Sequence, residues 1–423
     1  MQKTLLVLGG TAASLDIVKV AREIGVYTIV TDDRQDGAAK PYADEVVQIS
    51  TTDHYGLVDF IRERGINGVF SGPSEFNLKN CMQVCELAGL PFYFTQEQWN
   101  ICTNKESFKK LCQQFDVPSV PGYEIHEEFD QADLSGIQYP VIVKPVDGSS
   151  SKGISVCENE QELRKAHPVA LAFSKAKRVL VERFIDNGGV GLSARYIICD
   201  GEYFLSLVGD RYVVDAKTRQ SLIGAAAFFP SKYTDQYIRD IDANVQRMFK
   251  SIGIENGTLF MQALVENDKI FFHEMGLRLS GGLTYKMTDS LIGVNDVKMM
   301  ISYALGEKMC TNEETERISP YLNGKYAGSL SIPLKTGIIG CIRGVEEIRN
   351  FTGVEDFTCY YQEGSEITQP MIGTLLQLFG RIKMTVDSKA ELVSLIERIH
   401  STLFVRNQSG KDMIFKRFDP ANL

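Results

Sequence analysis

The chain has 423 residues, too many for one compact core, so roughly two to four packed domains are expected. Its hydrophobic (44%) and charged (23%) fractions are those of a soluble globular protein, and a formal net charge of −9 argues against nucleic acid as a partner. The apolar run at 4–8 is broken by Gly9, Gly10 and Asp16, too early for a signal peptide or a membrane span.

In chain order, T-L-L-V-L predicts a strand, and G-G-T-A-A-S a tight turn into a helix at 15–24. A second strand at 27–31, a short one at 46–49, a helix at 55–64 and a strand at 68–70 continue the alternation. That rhythm means a parallel sheet covered by helices. The turn lacks the third glycine of G-x-G-x-x-G, so it is read as a turn and not as a nicotinamide site. Cys81 and Cys85 sit one helical turn apart in K-N-C-M-Q-V-C-E-L, the buried face of an amphipathic helix. The nine cysteines are scattered with no C-x-x-C pair, those two are read as core thiols, and a reducing cytoplasm fits. Residues 104–115 predict a helix and P-S-V-P-G a linker.

From 139 to about 301 the pattern changes to hairpin-like strands with few helices. V-L-V-E-R-F-I at 179–185 is one such strand; D-G at 200–201 and N-D-K at 267–269 are turns between paired strands. Beyond about 325 follows a third region of short strands, a turn near Gly364 and a terminal helix at 389–403.

The stretch V-I-V-K-P-V-D-G-S-S-S-K-G-I at 141–154 begins as a buried strand and becomes a loop of small residues, hydroxyls and Lys152. Gly148 and Gly153 have the spacing of a Walker P-loop, but Ile154 and Ser155 stand where that motif needs Lys and Ser/Thr, and I-S-V-C-E continues as a strand. The loop is therefore a hairpin loop that can fold over a triphosphate. Lys144 ends a strand too apolar to be exposed, so its ammonium needs an anionic partner.

These residues resemble the ATP-grasp superfamily over nearly the whole chain, and most closely its L-amino-acid ligase, carboxylate–amine ligase and biotin-carboxylase-like branch. The resemblance implies a mixed α/β and α+β ATP-grasp fold. An N-terminal Rossmann-like (pre-ATP-grasp) parallel sheet domain would occupy 1–100 and the ATP-grasp domain 101–325, with its nucleotide lid at about 116–187. A small C-terminal α+β closing domain would occupy 326–423. Lys105 in T-N-K-E-S-F and Lys144 correspond to the two nucleotide lysines. Gly148, Ser149, Ser150, Ser151 and Gly153 form the phosphate loop, with Lys152 in a catalytic role. Glu182 and the backbone of Arg183, Phe184 and Ile185 would read the adenine edge.

H-E-M-G-L-R at 273–278 matches the family's metal and reaction motif. Glu274 is its metal ligand, Gln262 stands where the partner acid would be, and Gly276 replaces the motif's Asn. Arg278 fits a clamp on the transferring phosphoryl group, with Ser280 and Gly281 beside the substrate. Arg195 replaces an acid common in related ligases and implies a substrate with an extra carboxylate or phosphate. His273 is the best placed of the five histidines and is read first as a core residue.

The implied cofactors are ATP and Mg²⁺, with Mn²⁺ as a substitute, and the partners a small-molecule carboxylate and an amine. No membrane is expected, and a homodimer is compatible. The implied reaction activates the carboxylate as an acyl phosphate for attack by the amine, releasing ADP and phosphate. The alternatives are a bicarbonate-using carboxylase or carbamoyl-phosphate-type enzyme, and a degenerate ATP-binding scaffold or sensor.

Overall fold

A computed structural model describes residues 2–34, 37–125, 131–147, 153–215, 221–282 and 284–423. Among these residues the strands form four sheets. The first is parallel, in the order β3 (Glu45–Val47), β2 (Tyr27–Thr31), β1 (Thr4–Leu8), β4 (Gly68–Phe70). Side chains of a strand alternate in direction, and β1 uses both faces. Leu6 and Leu8 enter a core closed by the His54–Arg64 and Glu75–Ala88 helices, while Leu5 and Val7 face the main core. Cys81 and Cys85 are buried thiols in the first of these, as the helical spacing predicts. The opposite face is covered by the Ala12–Glu23 helix and by the much later Asp296–Ala304 helix. A side chain at Gly68 would meet the Ala304 carbonyl oxygen at 2.2 Å, so glycine there is what lets that helix approach.

A second sheet, β5 (Gly122–Tyr123), β8 (Val179–Arg183), β6 (Val141–Pro145), β7 (Ser155–Cys157), is antiparallel and backed by the Glu160–Phe173 helix. β6 and β7 are hairpin partners, as the 141–154 stretch predicts; residues 148–152 of the connecting loop lie outside the described residues. The linker P-S-V-P-G pins this sheet to the next. Val120 donates its N–H to the Phe272 carbonyl at 3.0 Å, and Phe272 donates to Pro118 at 2.9 Å.

The large antiparallel sheet runs β13 (Lys269–Gly276), β12 (Gly257–Glu266), β9 (Val190–Cys199), β10 (Glu202–Asp215), β11 (Ser221–Phe229), β14 (Tyr326–Pro333), β18 (Leu378–Val386), β16 (Val354–Cys359). Both predicted turns are present. Asp200 and Gly201 between β9 and β10, and Asn267 and Asp268 between β12 and β13, all have positive φ, matching the twist a two-residue hairpin needs. β14 pairs with β11, so the strands beyond residue 325 continue this sheet, and Tyr212 and Phe228 share a core with Phe357, Phe379 and the Lys389–Thr402 helix. A small sheet of β17 (Glu366–Ile367), β15 (Gly337–Arg343) and β19 (Phe404–Asn407) completes that region.

Two features depart from the sequence reading. Residues 139–301 hold four substantial helices, Glu160–Phe173, Ala243–Ile252, Tyr285–Ile292 and Asp296–Ala304. In the second, Val245, Met248, Phe249 and Ile252 follow the helical period and are all buried. Cys199 and Cys310 are joined as a disulfide, 111 residues apart, where a reducing cytoplasm would keep free thiols.

Candidate active site

At the nucleotide end, Asn104 caps its helix by accepting the N–H groups of Glu106 and Ser107 at 3.0 Å each, which places Lys105 in the first turn beside the end of β6. The Lys105 N–H donates to the Val146 carbonyl at 3.3 Å. Lys144 is 6% exposed and Glu182 only 2%, and the two form an ion pair across β6 and β8. The other Glu182 oxygen receives Lys109 at 2.6 Å, and Lys109 also donates to the Val120 carbonyl at 2.8 Å. Burial would raise the Glu182 pKa, but Lys144 and Lys109 outweigh it and hold the carboxylate below its ordinary range. Lys105 is pushed down by burial and by Lys144, against the pull of Glu274, Glu75 and Glu182. Lys105, Lys109 and Lys144 against Glu182 leave this end net positive, a setting for polyphosphate. Lys109 escaped the sequence reading, although its spacing of four from Lys105 puts both on one helical face.

Along the hinge, the N–H groups of Arg183 and Phe184 donate to the carbonyls of Pro121 at 2.9 Å and Pro140 at 3.0 Å. Arg183 pairs with Glu266 at 2.9 Å and lies over the Phe271 ring, while Ile185 is buried. Gly153 has φ +72°, and a side chain there would meet Phe173 at 2.9 Å. Gly148, Ser149, Ser150, Ser151 and Lys152 lie outside the described residues.

The reaction end is built on β12 and β13. Gln262 and Glu274 are register partners, but the next pair is Ala263 with Phe272, leaving His273 as the extra residue of a bulge. Phe272 and Met275 can then both enter the main core although they are three apart in a strand. Burial, with Lys144 and Arg211 nearby, pushes the His273 pKa down to about 3, so it is neutral near pH 7. Arg211 donates to the Gln262 amide oxygen and feels the Glu274 charge.

Arg278 donates from Nε and Nη2 to Glu75 Oε1 at 3.0 and 2.9 Å and lies 4.7 Å from the Phe260 ring centre. Glu75 opens a helix of the N-terminal sheet region, 203 residues away. Arg195 bonds Thr284 Oγ1, lies over the Phe229 ring at 5.1 Å, and sits opposite the bulge at Ser206 in β10. Ser280 is half-buried and Gly281 exposed; the Gly281 carbonyl accepts from Arg381 at 3.1 Å. Glu75, Arg381 and Asp296 enter the site without any local motif.

Among the described residues no group of three or more His, Cys, Asp or Glu side chains converges as a metal cage. Glu274 and the Gln262 amide offer hard oxygen donors, a set that fits Mg²⁺ when phosphate and water oxygens complete its shell.

Residues 104–312 match the family model described as the carbamoyl-phosphate synthase L chain, ATP binding domain. Residues 104–312 are an ATP-grasp ATP-binding domain. The 2-oxoglutarate carboxylase small subunit of Hydrogenobacter thermophilus is 24% identical to it over 344 residues, covering 76% of this chain and 70% of that relative. The crystal structure of an L-amino acid ligase from Bacillus licheniformis superposes with a TM-score of 0.78 at 19% identity, over 96% of this chain and 99% of that one. The biotin carboxylase domain of the Hydrogenobacter thermophilus enzyme, a dimer in complex with MgADP, ADP and bicarbonate, superposes with a TM-score of 0.77 at 20% identity, over 96% of this chain and 91% of that one. At these identities the structures establish the ATP-grasp fold. Among the described residues no helix is long and apolar enough to cross a membrane.

Proposed function

We propose that this protein is an ADP-forming ligase that activates a small-molecule carboxylate as an acyl phosphate for attack by an amine. The observation that carries this reading is the position of Lys105, close enough to Lys144, Glu182, Glu274 and Glu75 to feel all four charges. Through Glu75 that set reaches Arg278, so the nucleotide end and the reaction end meet at one place.

In this scheme Lys105 and Lys144 neutralise the phosphates, and Glu182 fixes both Lys144 and Lys109. Glu274, with the Gln262 amide beside it, would hold Mg²⁺, which when bound offsets charge on the β- and γ-phosphates. A substrate carboxylate oxygen attacks the γ-phosphorus, the bond to the bridging β–γ oxygen breaks, and ADP leaves. The amine nitrogen then attacks the acyl carbon, the bond to the phosphate oxygen breaks, phosphate leaves, and the amine proton passes to solvent. In this reading Arg278 exchanges Glu75 for the transferring phosphoryl group and stabilises it.

The test is ADP release by the full chain across pooled carboxylates and amines with Mg·ATP. Release that needs both a carboxylate and an amine is the expected result. The likeness to carboxylases favours one second reading, in which bicarbonate is the acid, and release driven by bicarbonate alone would replace the first. ATP binding with no turnover in any pool would leave a nucleotide-binding scaffold.

A further inference from the structure

The reaction chamber carries more positive charge than ATP chemistry uses. Beyond Lys105, Lys144 and Arg278, four further cations stand close to one another at this end: Arg195, Arg211, Arg381 and Lys383. Gly281, Thr284 and Tyr285 each touch one of them. Arg381 donates to the Gly281 carbonyl, Arg195 to Thr284 Oγ1, and Lys383 lies 5.6 Å from the centre of the Tyr285 ring. Arg195 and Arg211 repel one another, as do Arg211 and Arg381, and Arg381 and Lys383. The four cations therefore form one continuous group.

The acids around them are shared or engaged elsewhere: Asp296 faces Arg195, Glu274 faces Arg211, and Asp16 and Asp356 act on Lys383 only from a distance. Lys383 is 5% exposed, and among the described residues no carboxylate lies within ion-pairing distance of it. The acids nearest it are engaged elsewhere: Asp356 with Lys286 at 2.7 Å, and Asp16 with Tyr285 Oη at 3.0 Å and Lys286 at 3.8 Å. Arg195 Nε is buried with no hydrogen-bond partner, and so is Asp296 Oδ1, although Arg195, Lys383 and Asp296 share the same space. Burial raises Asp296 to about 6, so near pH 7 it is still mostly ionised and serves Arg195, leaving Lys383 and Arg381 as the cations short of a close counter-ion among the described residues. A buried ammonium and a buried guanidinium nitrogen without acceptors carry a large desolvation cost, which a bound anion would offset.

We propose that the carboxylate substrate carries a second anionic group, a carboxylate or a phosphate ester, held between Arg195 on β9 and Arg381 and Lys383 on β18. This rests on the ligase reading and narrows it, because the reacting carboxylate belongs near Arg278 and the second anion beside Arg195, Arg381 and Lys383. Arg195 and the β18 cations then select substrate by charge, and the closing strands supply part of the recognition.

The test has two arms. In the first, ADP release by the full chain is compared for matched acids, with an amine pool and Mg·ATP: butyrate, succinate, glutamate, 3-phosphoglycerate and lysine. Acids with a second anionic group (succinate, glutamate or 3-phosphoglycerate) should exceed the monoacid and the cationic acid by about tenfold in kcat/KM, the size of one charge-assisted hydrogen bond. Succinate and glutamate against 3-phosphoglycerate separates carboxylate from phosphate ester. Lys383→Met and Arg381→Gln should raise KM for the dianion about tenfold while leaving kcat within a few-fold.

In the second arm, succinate and 3-phosphoglycerate are titrated against the full chain with a non-hydrolysable ATP analogue, followed by thermal shift. A stabilisation present in wild type and lost in Arg381→Gln, a half-buried position unlike Lys383, is expected. Equal or better turnover of butyrate or lysine overturns the proposal even if the ligase reading stands. With no turnover at all the ligase reading fails, and an unshifted melting temperature with both dianions then also removes the anion subsite.

Discussion

Gly276 and Phe260 occupy one space. A side chain at Gly276 would meet the Phe260 ring at 2.4 Å, and that ring also lies beneath the Arg278 guanidinium. The space a side chain at Gly276 would take is filled from the neighbouring strand, where Phe260 is its register partner. Gly276→Asn should therefore lower stability by about 1–3 kcal/mol, the usual cost of overpacking. Adding Phe260→Ala should recover part of that loss. Urea unfolding midpoints of the single and double variants check this; a Gly276→Asn protein as stable as wild type would count against the packing account.

Lys144 is the more deeply buried nucleotide lysine, and its removal leaves Glu182 still partnered by Lys109. The fold should survive Lys144→Met for that reason. ATP affinity should fall by about tenfold to a hundredfold, the loss of one charge-assisted contact to phosphate. Titration calorimetry giving an unchanged dissociation constant would remove Lys144 from the nucleotide site.

Arg278 uses two nitrogens toward Glu75 and its flat face toward Phe260, and lysine reproduces neither. Arg278→Lys should cut ADP release by about 10²–10³-fold, the scale of losing one oxyanion donor, with ATP affinity nearly unchanged. Single-turnover ADP formation measures the first and calorimetry the second. Equal losses in both would assign Arg278 to nucleotide binding and not to the reaction.

His400 lies in the last turn of the Lys389–Thr402 helix, with Nε2 buried and unpartnered. Burial, reinforced by Arg417, pushes its pKa down to about 4. The unfolded chain protonates this group near its ordinary value, about 6.5. The folded pKa is depressed, so the folded state binds the proton less well than the unfolded state does. The stability it contributes is fully present above about pH 6.5 and is lost as pH falls toward 4. The span corresponds to about 3 kcal/mol as an upper bound, and to less once solvent screening of this half-buried ring is counted. His400→Gln should flatten the stability profile between pH 6.5 and 4, measured by denaturant unfolding at each pH. A variant with the wild-type slope would show that His400 is not responsible.

The local order of this protein was legible in its sequence because local chemistry sets it. Asp200-Gly201 and Asn267-Asp268 adopt the backbone their turns require, Asn104 caps the helix that presents Lys105, and the strand–helix rhythm of the first seventy or so residues builds a parallel sheet. Lys105, Lys144, Glu182, Glu274 and Arg278 could be picked out because each lies in a short recognisable run. Other features depend on which strands pair and in what register, and no short window contains that. The bulge at His273 turns Glu274 and Met275 to their faces, and Phe260 fills the space at Gly276 only because the register sets them opposite. Glu75 reaches Arg278 across 203 residues, and β11 pairing with β14 carries Arg381 and Lys383 to the chamber. Sequence decided the elements and most of the chemically active groups. Long-range strand pairing decided which charges meet, and so which of them are left without a partner.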